Sequence, residues 1–208
     1  MVKIDPSAVA WSAPERERAG RPLLVLLHGY GSYEGDLFGL SPQLPLEPVI
    51  ASVRAPLPVG QGFAWAPLAS GADAATVSAA ADDAALAILD WLDTTESTSV
   101  GLLGFSQGGA MSLELLRADP ERFAYAVNLS GYAAPVAREG DSALAERRAP
   151  VFWGRGTHDD VIPAEAVAHT TEWLPEHSRL VGRVYEGLAH AISQQELADV
   201  RGFIERQL

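Results

Sequence analysis

The chain has no cysteine and only one lysine, Lys3, among its 208 residues. The lack of cysteine excludes disulfides, thiolate nucleophiles and thiolate metal sites. Positive charge is scarce in general, and the formal net charge is -12. A chain this acidic repels nucleic-acid phosphates and anionic membrane surfaces. We therefore expect no nucleic-acid partner and no activity that depends on an anionic bilayer.

Long hydrophobic runs are also lacking. No purely apolar run approaches the roughly 20 residues that a membrane-spanning helix needs. The first twenty residues lack a basic segment followed by an apolar core, so they do not predict a signal peptide. We expect a cytoplasmic protein with no membrane insertion, folded as one domain over residues 1–208. The acidic composition is compatible with a monomer or a homodimer.

Short apolar runs alternate with helical patterns along the chain. The runs predict strands at 23–27, 49–53, 100–104, 125–129, 151–153 and 180–185, and a hairpin within 4–12. Helices are predicted at 73–93, 107–117, 164–174 and 193–207. This alternation predicts an α/β fold, with a mostly parallel central sheet and helices on both faces. The remaining long segments, 55–72 and 130–149, are predicted loops, and the second is too short to form a cap domain.

The segment 104–108 reads Gly-Phe-Ser-Gln-Gly and lies between a predicted strand and a predicted helix. This is the G-x-S-x-G pattern of a nucleophile elbow, in which a strained turn lifts a serine hydroxyl above the end of a sheet. The flanking glycines remove side chains that would clash where strand and helix meet. Ser106 is therefore the candidate nucleophile. The alternative is a glycine-rich turn whose serine only caps the following helix.

A serine hydroxyl needs a base to take its proton, and the chain has five histidines. His190 lies between the last predicted strand and the last predicted helix. Because chemistry in an open α/β sheet gathers at the carboxyl ends of the strands, His190 is the predicted base. The alternative is a loop histidine with a structural hydrogen bond. His28 follows the first apolar run, and we expect it to hydrogen-bond locally and shape that turn.

The acid that orients the base should follow the preceding strand. Asp159 and Asp160 both lie there, and their position does not choose between them. One of the two could instead cap the helix after Pro163. With either residue the chain order is serine, aspartate, histidine, which is the order of the α/β-hydrolase fold.

A serine hydrolase also needs two backbone N–H groups to hold the oxyanion of the tetrahedral intermediate. The segment 27–31 reads Leu-His-Gly-Tyr-Gly after a buried strand, and its glycines let the backbone bend toward a bound carbonyl. We assign the two donors to the backbone of Tyr30 and of Gln107, the residue after the nucleophile.

Several longer motifs carry a resemblance to a known family. They are LLHGYGSYEGDLFGL at 26–40, SVRAPLP at 52–58 with FAWAPL at 63–68, GLLGFSQGGAMSL at 101–113, GTHDDVIP at 156–163 and YEGLAHAIS at 185–193. With these motifs the chain resembles the phospholipase/carboxylesterase family of α/β-hydrolases, which includes acyl-protein thioesterases and small bacterial carboxylesterases. The resemblance implies a Ser-Asp-His triad with Asp159 as its acid. It also implies that Trp65 belongs to a loop bordering the acyl pocket.

These features predict a serine carboxylesterase that hydrolyses short- to medium-chain esters through an acyl-enzyme intermediate. Its substrate is a small ester, and we expect neither a metal nor a cofactor. Without a cap domain the site should be open, screened by the 55–72 and 130–149 loops. We expect Trp65 and Phe63 to contact the substrate. The alternatives are an acyl-protein or small-molecule thioesterase, a lysophospholipase, an acyltransferase with the same triad, and a hydrolase-like binding module.

Overall fold

Strands and helices alternate along most of the chain. The structure is a computed structural model, and it describes residues 2–68 and 70–208. Within that part, strands β1 to β9 span Val9–Trp11, Leu23–Leu27, Val49–Val53, Leu57–Val59, Gly62–Ala64, Val100–Phe105, Tyr125–Leu129, Pro150–Gly156 and Arg179–Tyr185. Helices α1 to α6 span Glu34–Phe38, Ala74–Leu92, Gln107–Ala118, Asp141–Arg147, Ala164–His177 and Gln194–Glu205.

Seven strands form one sheet in the order β1-β3-β2-β6-β7-β8-β9. All neighbouring pairs are parallel except β1 with β3. The register places Leu27 opposite Gly104, and Phe105 opposite Leu129. The carboxyl ends of the central strands therefore meet at one edge of the sheet, where the segments that follow them carry the candidate catalytic residues.

Two apolar layers cover the sheet, one on each face. In β2, Val25 packs in the layer formed with α2, α3 and α5, whereas the alternate residues Leu24 and Leu26 pack against α1 and α6. All five β2 residues are buried, which explains why this strand is a continuous apolar run. The predicted α/β fold with helices on both faces is confirmed. In the described ranges, no separate helical cap covers the sheet.

Three short segments differ from the predicted elements. The segment 4–12 forms a 3-10 turn at Pro6–Ala8 and the single strand β1, so the predicted hairpin was wrong. The turn forms because the Asp5 carboxylate accepts a hydrogen bond from the Ser7 backbone N–H, and β1 then pairs with the distant strand β3. The predicted loops contain the small hairpin β4–β5 and helix α4.

None of the helices in residues 2–68 and 70–208 has the length and apolarity that crossing a membrane requires.

Candidate active site

Ser106 stands at a sharp turn between β6 and α3. Its φ is 55° and its ψ is -120°, a conformation that L residues rarely adopt and that marks strain at functional sites. The Ser106 backbone N–H donates to the Leu129 carbonyl at 2.8 Å, which fastens the turn to β7. A side chain at Gly104 would collide with the Gly108 carbonyl, and one at Gly108 would collide with the Leu27 carbonyl. Both glycines of the motif are therefore required by close backbone approach.

Three side chains from different segments form a continuous hydrogen-bonded row. His190 Nε2 lies 2.9 Å from Ser106 Oγ, and His190 Nδ1 lies 2.8 Å from Asp159 Oδ2. Because an ionised carboxylate can only accept, Nδ1 carries the proton and Nε2 accepts from the serine hydroxyl. The Phe105 ring packs against the imidazole, with 4.9 Å between ring centroids. The structure thus joins Ser106, His190 and Asp159 in the geometry of a triad.

Asp159 is held by more than the histidine. Its other carboxylate oxygen accepts hydrogen bonds from the backbone N–H groups of Val161 at 3.0 Å and Ile162 at 3.2 Å. Burial raises the pKa of Asp159, but the hydrogen bonds from His190 and the two amides outweigh it, and the net pKa is lowered. Asp159 is therefore ionised at neutral pH. The neighbouring Asp160 is exposed, and it is Asp159 that reaches the imidazole.

The glycine-rich turn after β2 lies directly beside the serine. A Cβ placed on Gly29 would be 3.5 Å from the Ser106 Cβ. The turn is tied to β5 by the Gly31 N–H, which donates to the Phe63 carbonyl at 2.9 Å. In the part of the chain that the structure describes, neither the Tyr30 nor the Gln107 backbone N–H donates to another residue. Both predicted oxyanion donors are thus free to donate a hydrogen bond to a ligand oxygen.

His28 is fully buried beneath this turn. Its Nδ1 lies 2.8 Å from the Gly29 carbonyl and donates to it, while Nε2 accepts from the Ala55 N–H at 3.1 Å. Burial lowers the pKa of His28, so the ring stays neutral and keeps both bonds. The structure shows the local hydrogen bonding that the sequence predicted for this histidine.

Trp65 supports the turn from below. The residue is fully buried, and its Nε1 donates to the His28 carbonyl at 2.8 Å. The prediction that Trp65 contacts the substrate is therefore corrected: its indole is enclosed in the core. Phe63 packs against the same core, and the Arg54 guanidinium lies 4.6 Å from its ring centroid. Trp65 thus supports the turn that carries Tyr30, whereas contact of Phe63 with a substrate stays a prediction.

An open cavity of about 720 Å³ lies over Ser106 and His190. Its apolar and aromatic lining includes two residues for which the sequence predicted no role, Tyr132 and Ala166, together with Leu68, Phe105, Val161, Ile162 and Pro163. Large apolar side chains stand exposed at its mouth, namely Tyr30, Leu68 and Val161. Asp36 also borders the cavity, and its carboxylate accepts from the Ser32 hydroxyl at 2.6 Å. The cavity therefore suits a mainly apolar group next to the serine.

Buried ion pairs order the segment that carries Tyr132. Arg117 of α3 is bound to Asp141 at 2.6 Å and to Glu114 at 2.8 Å, and Arg138 binds the other Glu114 oxygen at 2.9 Å. Arg117 also donates to backbone carbonyls within 130–149. The 130–149 segment is thereby fixed to α3, which begins at the Ser106 turn.

Known proteins resemble this chain in sequence and structure. The family model described as phospholipase/carboxylesterase matches residues 12–208. Acyl-protein thioesterase 1 of Eremothecium gossypii is 36% identical over 110 residues, or 50% of this chain and 46% of the relative. Carboxylesterase SOBER1 of Arabidopsis thaliana is 31% identical over 117 residues, or 55% of this chain and 51% of the relative. The chain thus spans about half the length of these curated relatives.

A solved structure extends the likeness to the whole chain. The crystal structure of esterase PE8 superposes with a TM-score of 0.79 and 25% identity, and the alignment covers 100% of both chains.

Proposed function

This chain belongs to the phospholipase/carboxylesterase family, and on that premise we propose that it is a serine carboxylesterase acting on short- to medium-chain esters. The observation that carries the proposal is the hydrogen-bonded row from Asp159 through His190 to Ser106. Two unused backbone N–H groups beside the serine, from Tyr30 and Gln107, support the same chemistry.

Each residue of the row has one task in acylation. His190 Nε2 takes the proton of Ser106 as the serine oxygen attacks the ester carbonyl. The oxygen of the tetrahedral intermediate accepts hydrogen bonds from the Tyr30 and Gln107 N–H groups. His190 then gives its proton to the departing alcohol, leaving the acyl group on the serine.

Deacylation repeats these steps with water as the nucleophile. His190 takes a proton from water as the water oxygen attacks the acyl carbonyl. It then gives that proton to the Ser106 oxygen as the bond between that oxygen and the acyl carbon breaks, which releases the carboxylic acid and the free serine. Asp159 remains ionised throughout, holds the Nδ1–H tautomer and stabilises the imidazolium. The lowered pKa of Asp159 supports this role.

The cavity supports the choice of substrate. A volume of about 720 Å³ with an open apolar mouth has room for a short or medium acyl chain. Burial of each methylene contributes about 0.8 kcal/mol, so affinity should rise with chain length until the chain passes the mouth.

Thioester hydrolysis is the second candidate, because one matching relative is named an acyl-protein thioesterase. The triad and the oxyanion donors serve an oxygen ester and a thioester by the same steps. Matched p-nitrophenyl and p-nitrothiophenyl esters of one acid separate the two candidates, since the acyl group and the ring are shared and only the leaving atom differs.

The decisive experiment is hydrolysis of p-nitrophenyl esters from acetate to palmitate by the wild type, Ser106→Ala and the control Ser142→Ala. Ser142 lies exposed on α4. We expect the Ser106→Ala rate to fall by about 10⁴-fold or more and the control to keep its activity. A folded Ser106→Ala protein with wild-type turnover, or a folded wild type that does not react with a fluorophosphonate probe, would refute the serine-esterase proposal.

A further inference from the structure

A second cavity, of about 420 Å³, lies beside the cavity over Ser106. Ile162 and Pro163 line both this cavity and the one over Ser106. The second cavity is bounded by the end of β8, the residues after β7 and the start of α5. The proposed mechanism uses none of its hydrogen-bond donors.

Two side-chain donors at this cavity lack acceptors. Ser130 is 2% exposed, and its hydroxyl has no hydrogen-bond partner among the described residues. The Arg155 Nε–H is likewise enclosed and without a partner there. Because buried polar groups are nearly always hydrogen-bonded, two orphan donors lining one cavity point to a ligand that brings acceptor atoms.

The start of α5 adds a further donor to the same cavity. Ala164 begins this 14-residue helix and lines the cavity, while the N-cap, Pro163, offers no side-chain hydrogen bond. The Ala166 N–H donates to the Pro163 carbonyl at 3.0 Å, whereas the N–H of Ala164, the first residue of the helix, has no partner among the described residues, and the helix dipole favours an anion beside it. Together with the guanidinium of Arg155, this N–H favours a ligand group that is negatively charged.

The walls of the cavity define the rest of the ligand. The Arg155 guanidinium lies 5.7 Å from the centroid of the Trp153 ring, and Ile162 and Val167 complete an apolar side. A bare inorganic ion would leave this apolar wall uncovered. We propose that the cavity is a binding site for an organic carboxylate, with its oxygens on Arg155, Ser130 and the Ala164 amide and its carbon skeleton along Trp153.

Two acidic residues also border the cavity, but neither carboxylate accepts a hydrogen bond from Ser130 or Arg155. The Asp159 carboxylate is engaged by His190 and the Val161 and Ile162 amides. Asp160 is exposed, where solvent and salt screen its charge.

The carboxylate could come from two sources. It could be free in solution, such as the acid that ester hydrolysis releases, or it could be a second, terminal carboxylate carried by the ester substrate. The substrate-borne source rests on the proposed esterase function, whereas binding of a free carboxylate does not.

The sheet offers a matched control for Arg155. In the β8–β9 register, Arg155 lies opposite Val184 and Arg183 lies opposite Gly154. Because successive residues of a strand point to opposite faces, the side chains of Arg155 and Arg183 lie on different faces of the sheet. Arg155→Gln and Arg183→Gln therefore remove the same charge from nearby positions, and only the first alters the cavity.

The first arm measures binding by titration calorimetry in the Ser106→Ala background, which needs no turnover. The ligands are hexanoate and its uncharged analogue hexanamide. We expect hexanoate to bind, to weaken about tenfold or more with Arg155→Gln, and to bind the Arg183→Gln protein unchanged. Ser130→Ala and Arg155→Lys, which keeps the charge, test the same contacts should Arg155→Gln fail to fold. Equal binding of hexanoate and hexanamide, or hexanoate affinity that none of the cavity variants changes, overturns the proposal.

The second arm identifies the source of the carboxylate. It compares kcat/KM for mono-p-nitrophenyl adipate with that for its methyl ester, in the wild type and both arginine variants. A preference for the free acid that Arg155→Gln removes and Arg183→Gln retains supports a substrate-borne carboxylate. No such preference, with Arg155-dependent hexanoate binding, supports a free carboxylate. Hexanoate binding without any ester turnover refutes the esterase while supporting the site.

Discussion

The side chain of Gln107 holds the backbone of Trp65. Gln107 Oε1 accepts from the Trp65 N–H at 2.9 Å, and Gln107 Nε2 donates to the next carbonyl, that of Ala66, at 2.7 Å. The same glutamine supplies a proposed oxyanion donor from its own backbone. Gln107 thus links the Ser106 turn to Trp65. Trp65 in turn donates to the His28 carbonyl, in the turn that carries Tyr30.

Truncation of the Gln107 side chain should weaken the attachment of the Ser106 turn to Trp65, while the backbone N–H groups of Tyr30 and Gln107 remain. For Gln107→Ala we expect a loss of about 1–3 kcal/mol in unfolding free energy, since the Trp65 N–H loses its acceptor, and a fall of about tenfold in kcat. Chemical denaturation and ester kinetics measure the two effects. Gln195→Ala, on the exposed side of α6, is the control and should change neither. Unchanged stability and kcat in Gln107→Ala would show that the linkage is dispensable.

The adjacent aspartates should differ sharply in function. Asp159→Asn keeps the shape of the side chain but removes the charge that holds the Nδ1–H tautomer, and we expect kcat to fall by about 10³–10⁴-fold. Asp160→Asn, the matched control, should stay within about twofold of wild type, because the side chain is exposed and its neighbour reaches the imidazole. Similar kinetics for the two variants would contradict the proposed acid.

The larger elements could be predicted because their signals are local. Each central strand appears in the sequence as a mainly apolar run. The turn at Ser106 requires glycine two positions before the serine and two positions after it. Asp159 could not be separated from Asp160 by position, since adjacent residues of a turn point in different directions. The family resemblance made that choice, and the structure places Asp159 against His190.

The features that the sequence did not predict depend on contacts between residues that are far apart in the chain. Trp65 lies in a Pro- and Gly-rich segment, yet it is buried in the apolar core, where its indole N–H donates to the His28 carbonyl, 37 positions away. Strand β1 has three residues, and its partners in β3 are even farther along the chain. The orphan donors of Ser130 and Arg155 become visible only when the surrounding atoms are in place.

Glu196 should make stability depend on pH. It is fully buried, and burial, with the nearby Asp199 carboxylate, raises the pKa of Glu196 to about 7. Because the folded-state pKa lies above the unfolded value, the contribution of this group is complete below about pH 4.3 and is lost as the pH rises through about 7.

Glu196→Gln removes this titration. We expect the Tm of the variant, relative to wild type, to increase by several degrees between about pH 5 and pH 8, the range in which the wild-type carboxyl ionises. Thermal unfolding at both pH values measures the change, with Glu172→Gln on the exposed side of α5 as the control. A pH-independent difference between wild type and Glu196→Gln would argue that the buried carboxyl does not ionise in this range.

Gly108 and Gly202 provide a matched pair of helical glycines with opposite expected effects. A Cβ at Gly108 would collide with the Leu27 carbonyl, whereas one at Gly202 has only the end of the Arg206 side chain nearby, at 3.6 Å. Gly202→Ala should stabilise the protein by about 0.5–1 kcal/mol through helix propensity. Gly108→Ala should destabilise it by about 3 kcal/mol or more and reduce activity, since α3 must move away from β2 and carry Ser106 with it. Denaturant unfolding measures both, and a Gly108→Ala protein with wild-type stability would contradict the close approach at the catalytic elbow.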